Sequence, residues 1–164
     1  MILNRSRLRP EAFTTKVSAT DFPPALLGGT YESTDGKVFR LVQLDDAANP
    51  LVIAQFDACG YKAGSTTGTI VTVDISDSAS GLFAGTIQSS TEPVDDDFIW
   101  IQVGGIGKIN LAAPVAVNPG DAFAWTADGK ATTLVAASNN VAAKCAITSG
   151  GTAQPDAYIT GVQG

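Results

Sequence analysis

The feature that most restricts the fold of this 164-residue chain is the lack of any long segment with helical periodicity. Apolar residues come in short runs, separated every ~8–12 residues by Gly, Pro, Asn and Asp, a spacing typical of a β-sandwich or β-barrel. The clearest run alternates Val71, Val73 and Ile75 with Thr72 and Asp74. It predicts a strand whose apolar side chains face the core while the polar ones face outward.

A β-hairpin is predicted around Asp35 and Gly36, because this dipeptide suits a turn that needs positive φ and good strand formers flank it. Alternation along the second strand divides its side chains between two faces, with Val38, Arg40 and Val42 on one and Phe39 and Leu41 on the other. Further strands are predicted at residues 51–56, 82–87, 98–103, 109–112, 122–126, 132–136, 141–147 and 157–160. The chain is therefore predicted to be all-β, as a single compact β-barrel or β-sandwich.

The most hydrophobic run is Phe98-Ile99-Trp100-Ile101-Gln102-Val103. A near-continuous apolar run of this length fits a strand that is covered on both faces. One face would pack in the core and the other against a neighbouring subunit. Phe98 and Trp100 are therefore the predicted subunit-interface residues.

The first residues differ from the rest of the chain. Residues 1–28 contain Pro10, Pro23 and Pro24 and show no sustained alternation. Consecutive prolines disfavour helix and cannot lie in the middle of a sheet. Residues 1–28 are accordingly predicted to be an extended N-terminal arm, which becomes ordered against a partner, and residues 29–164 to form the β domain.

Charge is distributed unevenly between these two parts. Arg5, Arg7, Arg9 and Lys16 lie in the first 16 residues with a single acid, Glu11, whereas the remainder carries six basic and 15 acidic residues. An anionic body argues against binding a nucleic acid backbone. The three arginines are predicted to contact an acidic partner surface, the alternative being a solvated terminus.

Several kinds of chemistry are excluded or disfavoured by residue types. The chain has no histidine, so it cannot contain a Ser-His-Asp or Cys-His arrangement, and a zinc site would need unusual ligands. Gly104–Lys108 lacks both the first glycine of a phosphate-binding loop, where Gln102 stands, and its final Ser or Thr, and is predicted to be a glycine-rich β-turn. We expect no catalytic residues, cofactor, metal or small-molecule substrate.

The cysteines and the apolar runs bear on the chain's environment. Cys59 and Cys145 are far apart and are predicted to be small buried residues, with a disulfide as the alternative. No run of ~20 apolar residues predicts a membrane span, and no secretory signal is recognisable.

Two further motifs leave alternatives open. The acidic loop Asp95–Asp97 is either a solvated turn or a site for a hard cation, which takes carboxylate ligands. Tyr31, Trp100 and Trp125 either belong to the core or form an aromatic platform for a sugar or a partner.

The order of these features resembles the small head-decoration (cement) proteins of tailed bacteriophages. The motifs that carry the resemblance are the hairpin at residues 31–42, the Trp100-x-Gln102-x-x-Gly105 strand, the Gly120-Asp121 and Gly129-Lys130 turns and the final Tyr158-Ile159 strand. The resemblance spans residues 28–162, and the Pro-containing arm is longer than that family's pattern.

The resemblance implies a homotrimeric β-barrel or β-sandwich on the outer surface of the virion capsid, made in the host cytoplasm. It would bind the major capsid protein and stabilise contacts between its subunits, without enzymatic activity, nucleic acid or membrane. Arg5, Arg7 and Arg9 as capsid contacts are an inference from charge and do not come from a family motif.

Other functional classes stay open at this point. A phage tail or fibre-base component would more often show repeats or a coiled coil, which this sequence lacks. A carbohydrate-binding surface β-module would use exposed aromatic residues such as Trp100 or Trp125. A carboxylate-based glycosidase or lyase would need a defined pair among the 16 acids, and nothing in the sequence singles one out.

Overall fold

A computed structural model describes residues 27–46, 51–65, 68–133, 141–145 and 149–160. Within these ranges the protein is all-β, as predicted, and its only helical turn is a short 3-10 turn at Ile75–Asp77. The twelve strands are β1 (Thr30–Glu32), β2 (Val38–Leu44), β3 (Ala58–Lys62), β4 (Ile70–Thr72), β5 (Ser78–Ile87), β6 (Phe98–Lys108), β7 (Val115–Val117), β8 (Ala122–Ala127), β9 (Lys130–Thr133), β10 (Val141–Cys145), β11 (Ser149–Thr152) and β12 (Asp156–Thr160).

Five strands close into a barrel in the order β2-β4-β3-β5-β6. Closure comes from the pairing of β2 with β6, in which Leu41 lies opposite Trp100. The other pairings are antiparallel except the one between β2 and β4. The structure thus decides between the two predicted architectures in favour of a barrel.

The barrel continues into a sheet extension through β6. The second half of this strand leaves the barrel and pairs with β12, and β10, β8 and β9 follow in order. Strands β7 and β11 form a separate two-stranded sheet. Because one continuous strand belongs to both parts, the extension is attached to the barrel through backbone hydrogen bonds.

Three hydrophobic clusters hold this arrangement together. The barrel interior contains apolar residues from all five barrel strands, including Val42, Tyr61, Val71, Ala84 and Ile99. A second cluster joins the extension to barrel residues, and contains Ala58, Phe83, Ile109, Leu111, Val117, Phe123, Trp125, Ala131, Ala157 and Ile159. A third lies on the other face of β2 and β6 and contains Phe39, Leu41, Phe98 and Trp100.

The predicted hairpin is confirmed in position and in facing. Gly36 has φ +78° in the turn between β1 and β2, and Gly28 donates from its backbone N–H to Leu41, 2.8 Å away. Val38 and Val42 pack with the barrel interior, whereas Phe39 and Leu41 belong to the third cluster. The boundary between arm and domain stays a prediction, since residues 1–26 lie outside the described ranges.

The prediction that Thr72 and Asp74 face outward is wrong. Both are buried, and the strand ends at Thr72. The Thr72 hydroxyl accepts from the backbone N–H of Asp74, whose own carboxylate accepts from the N–H of Ser76 and starts the 3-10 turn. The N–H of Gly129 also bonds to Val73, so the β8–β9 turn covers this segment from outside.

Two predicted strands are irregular segments instead. Residues 51–57 form a loop that contains Phe56 at φ +70°, and residues 109–112 contribute only an isolated bridge between Leu111 and Ala131. The two segments bond to each other where the N–H of Asn110 donates to the carbonyl of Phe56, 3.0 Å away. Ile53, Ile109 and Leu111 are buried in these segments without pairing in a sheet, whereas Val52 is exposed.

Candidate functional site

The residues predicted from sequence to contact the capsid and a neighbouring subunit fall in different places. Arg5, Arg7 and Arg9 lie outside the described residues, so their role stays a prediction. Phe98 and Trp100 lie at the start of β6, where the chain itself leaves them only 3% and 6% exposed. Their burial needs no second subunit to explain it, and their assignment to a subunit interface also stays a prediction.

The tryptophans belong to the core and do not form an exposed platform. Trp125 is buried between the extension and the barrel, and Trp100 packs with Phe39 and Leu41. The most exposed aromatic side chain in the described ranges is Tyr158, which is 50% exposed and lies opposite Ile106, 45% exposed. Tyr158 alternates with buried Ala157 and Ile159, a pattern from which its exposure could have been predicted.

An open groove of about 470 Å³ runs beside Ile106. Two ion pairs line it: Lys37 with Asp35 at 2.7 Å, and Lys108 with Asp156 at 3.5 Å. Hydrogen bonds from Lys37 and Ser33 lower the pKa of Asp35 to about 2. The groove is thus lined by two ion pairs and an exposed apolar side chain.

The acidic loop is a turn in which each of the three carboxylates accepts a hydrogen bond from a different donor. Asp95 accepts from the N–H of Asp46 (2.8 Å), Asp96 from the side-chain amide of Gln43 (2.8 Å), and Asp97 from the N–H of Val94 (2.9 Å). No group of three metal-ligating side chains occurs among the residues described. The carboxylates of Asp95 and Asp96 therefore fasten the loop to the end of β2, while that of Asp97 closes the turn within the loop.

Asp46, two residues after the end of β2, is an acid whose pKa is raised by its surroundings. Burial raises the pKa of Asp46, and the nearby charges of Asp95, Asp74 and Asp45 raise it further, against the hydrogen bond from the N–H of Leu51. One of its oxygens, Oδ1, is buried without a partner in the described structure. An acid whose pKa is higher in the folded state destabilises that state when ionised.

Asp46→Asn should therefore stabilise the protein at neutral pH. The amide oxygen keeps the hydrogen bond from Leu51, 2.9 Å from the carboxylate at present, while the buried charge is removed. We expect a melting temperature ~2–4 °C higher at pH 7, for a gain of ~1 kcal/mol. The gain in stability should shrink as the pH falls through the pKa of Asp46. It should vanish once the wild-type carboxyl is protonated in both the folded and the unfolded protein. A constant gain from pH 7 to pH 3 would contradict this.

The glycine run and the cysteines are structural. Gly104–Gly107 lie within β6 and not in a turn, which corrects the prediction, and Gly105 at φ +83° passes close to the carbonyl of Gly36. Cys59 is fully buried and unbonded to another cysteine, and burial raises the pKa of its thiol. The disulfide alternative is therefore wrong, and the side chain of Cys145 lies outside what the structure describes.

The described basic side chains are already neutralised or buried. Lys37, Lys108 and Lys130 each pair with one acid, and Lys62 lies 2.9 Å from both Asp45 and Asp77, which raise its pKa. Arg40 is buried in the barrel and donates to the Tyr61 hydroxyl at 2.8 Å. Little positive charge is therefore left for an outside partner on the described surface.

No protein-family model matches the chain, and no curated protein sequence matches it at a significant level. The resemblance to decoration proteins accordingly rests on the sequence motifs alone.

One polar group that the sequence did not reveal is built into the junction of barrel and extension. The carboxylate of Asp57, 2% exposed, accepts from the side-chain amide of Asn110 at 2.6 Å, from the ammonium of Lys130, and from the N–H of Ala54 at 2.9 Å. Asn110 also donates to the carbonyl of Gln55 at 2.9 Å. Residues 57, 110 and 130 are so widely separated in sequence that no local pattern connects them.

In the described part of the chain, no helix is both long and apolar enough to cross a lipid bilayer.

Proposed function

We propose that this protein is a structural virion component, a capsid decoration protein that binds the major capsid protein on the outside of a phage head as a homotrimer. It would work by clamping neighbouring capsid subunits, with no catalytic step. The resemblance of residues 28–162 to head-decoration proteins supports this proposal. The all-β architecture agrees with it.

The observation that carries the proposal is the separation of charge between the arm and the described body. The four lysines whose side chains the structure describes are paired with acids of the chain, whereas Arg5, Arg7 and Arg9 are accompanied only by Glu11 in the first 16 residues. The arm is thus the best candidate for contact with an acidic protein surface. An extended segment that orders on binding can cover a large surface and bridge two partners.

A clamp also has to be stiff between its contact points. Here the barrel and extension share β6 and a continuous hydrophobic cluster that includes Phe83 of the barrel and Phe123 of the extension. Pulling them apart would expose this cluster and break the β6–β12 ladder. Such a body transmits force between an arm and a second contact surface without unfolding.

The proposal is tested by adding the purified protein to phage heads that lack decoration. Light scattering should show a trimer in solution, and binding should saturate and raise the temperature at which the heads rupture. A monomer that neither binds the heads nor protects them would overturn the proposal. Binding to glycans in that case, reduced by Tyr158→Ala, would favour the carbohydrate-binding module instead.

Removing the arm's charge should weaken attachment without affecting the fold. We expect the triple substitution Arg5→Gln, Arg7→Gln and Arg9→Gln to reduce affinity for the heads about tenfold, or ~1.4 kcal/mol, and deletion of residues 1–16 to reduce it at least as much. Attraction between charges weakens with salt, so the loss should be largest at low ionic strength.

The matched control is the corresponding triple lysine variant, which keeps the charge and should retain most of the affinity. The melting temperature should be the same for all these variants. Unchanged affinity after deletion of residues 1–16 would show that the arm is not the capsid contact.

A further inference from the structure

We propose that Lys130 and Asn110 form an intramolecular amide bond between their side chains, with Asp57 carrying the protons. The structure brings together an amine, a primary amide and a carboxylate, the three groups that such a self-catalysed bond needs. This inference is independent of the proposed function, since it concerns a covalent link within one chain.

The first support is the geometry around one oxygen atom. Oδ1 of Asp57 accepts both from Nζ of Lys130 and from Nδ2 of Asn110, the latter at 2.6 Å. The nucleophile and the leaving nitrogen thus contact the same proton carrier. A proton-transferring group has to lie within hydrogen-bond reach of both atoms it serves, and Asp57 does.

The second support is that the backbone fixes the three residues in position. The N–H of Ala131 donates to the carbonyl of Asn110 at 2.9 Å, within a parallel bridge between Leu111 and Ala131, so Lys130 and Asn110 lie on neighbouring segments. The N–H of Ala58 donates to the carbonyl of Gly129 at 2.8 Å and ties the third residue to them. Holding reactants side by side in this way replaces a collision with a unimolecular step.

Packing around the carboxylate gives the third support. Asp57 and Asn110 are both buried, and Ala58, Ile109, Leu111 and Ala131, the neighbours of the three residues in sequence, all belong to the cluster between barrel and extension. Gly129 has φ +64°, and a Cβ there would lie 2.9 Å from Oδ2 of Asp57. The carboxylate thus packs against a residue without a side chain and is withdrawn from solvent, while the Lys130 side chain beside it is 35% exposed.

The orientation of the amide favours the same reaction. Nδ2 of Asn110 has two acceptors, Asp57 and the carbonyl of Gln55, while its Oδ1 is buried and has no partner in the described structure. The nitrogen that has to leave is therefore the atom that faces the proton source.

The reaction balances without any external reagent. Lys130 first gives a proton to Asp57, and the free electron pair on Nζ attacks Cγ of Asn110 while the carbonyl electrons move to Oδ1. When the carbonyl re-forms, the bond from Cγ to Nδ2 breaks. Asp57 protonates the leaving nitrogen and takes a proton from Nζ, and ammonia leaves and removes the last proton from Asp57. The ammonium of Lys130 and the amide of Asn110 become a secondary amide and one ammonium ion.

Intact mass spectrometry of the purified, denatured full-length protein tests the proposal. The expected mass is that of the sequence less one ammonia. Trypsin should no longer cleave after Lys130, so residues 109–144 should remain as one peptide that also lacks one ammonia. Fragmentation of this peptide should give no backbone ions from cleavages between residues 110 and 130.

Substitutions test the roles of Lys130 as the nucleophile and of Asp57 as the proton carrier. Lys130→Arg keeps a cation beside Asp57 but removes the nucleophile, and Asp57→Asn removes the proton carrier, so both should have the full mass. The matched control Lys62→Arg, another lysine paired with aspartates, should still lose ammonia. A wild-type protein with the full mass would overturn the proposal and leave a buried ion pair. Loss of water in place of ammonia would overturn the role of Asn110 and indicate a bond between Lys130 and Asp57.

Discussion

Replacing Trp100 by alanine should lower the free energy of unfolding by ~3–5 kcal/mol, the usual cost of truncating a large buried aromatic residue. Trp100 lies opposite Leu41 in the pairing that closes the barrel, and it packs with Phe39 and Phe98. Truncation would leave a cavity on this face and expose the other aromatic residues of the cluster. Urea denaturation followed by far-UV circular dichroism measures the loss.

Val52→Ala is the control for this prediction. Val52 is 85% exposed, so its truncation removes almost no packing and should change stability by less than ~0.5 kcal/mol. If Trp100→Ala were as stable as Val52→Ala, the tryptophan would not be a core residue. The measurement also bears on the predicted subunit interface, because a loss in dilute, monomeric protein cannot come from subunit contacts.

Gly85→Ala should destabilise the barrel by ~3 kcal/mol, the upper end of the usual cost of overpacking a core. A Cβ at this position would lie 2.4 Å from the backbone carbonyl oxygen of Gln102 on the neighbouring strand β6. Neither backbone can yield easily, since Thr86 and Ile87 next to Gly85 are paired with β6. The midpoint of urea unfolding should fall accordingly.

Gly64→Ala separates the steric effect from the general cost of replacing a glycine. Gly64 has φ +77° with no atom within 4 Å of the added Cβ, so only the left-handed backbone is penalised, at ~1 kcal/mol. A cost for Gly85→Ala no larger than this would mean that β5 and β6 separate to admit a methyl group. The close approach of β5 and β6 at Gly85 would then not be essential to the stability of the barrel.

An internal amide bond would suit the proposed role on a capsid surface. Lys130 begins the hairpin strand β9, and Asn110 follows β6, the strand shared by barrel and extension. Cross-linking them closes a loop that the unfolded chain would otherwise leave open, which stabilises the folded state as a disulfide does. An external protein held at a virion surface would gain resistance to heat and proteases from such a bond.

Local sequence patterns predicted the strands whose environment is set by their nearest neighbours. The Asp35-Gly36 turn and the facing of Phe39 and Leu41 are confirmed because turn chemistry and strand alternation act over two to four residues. Of the two alternatives left open for Trp100 and Trp125, the structure shows burial in the core. Both lie in apolar runs of the sequence, and the side chains of such runs are usually buried in the hydrophobic core.

The predictions were wrong where a segment distant in sequence determines whether a residue is buried or paired. Thr72 and Asp74 alternate with apolar residues as a half-exposed strand would, yet the β8–β9 turn covers them. The Thr72 hydroxyl accepts from the N–H of Asp74, and the Asp74 carboxylate accepts from the N–H of Ser76. Residues 51–56 have the composition of a strand, but the barrel closes by pairing β2 with β6 and does not include them in its sheet. Composition cannot reveal which edges are occupied.

By itself, therefore, the sequence determined an all-β chain, the position of its first hairpin and the separation of charge between residues 1–16 and the rest of the chain. Each depends on residue type or on spacing along the chain. Only the tertiary structure decided for a closed barrel with an extension, and only it brought Asp57, Asn110 and Lys130 together. The contacts among these three side chains depend on backbone hydrogen bonds between segments that are far apart in sequence. The packing of the whole domain determines where such hydrogen bonds form.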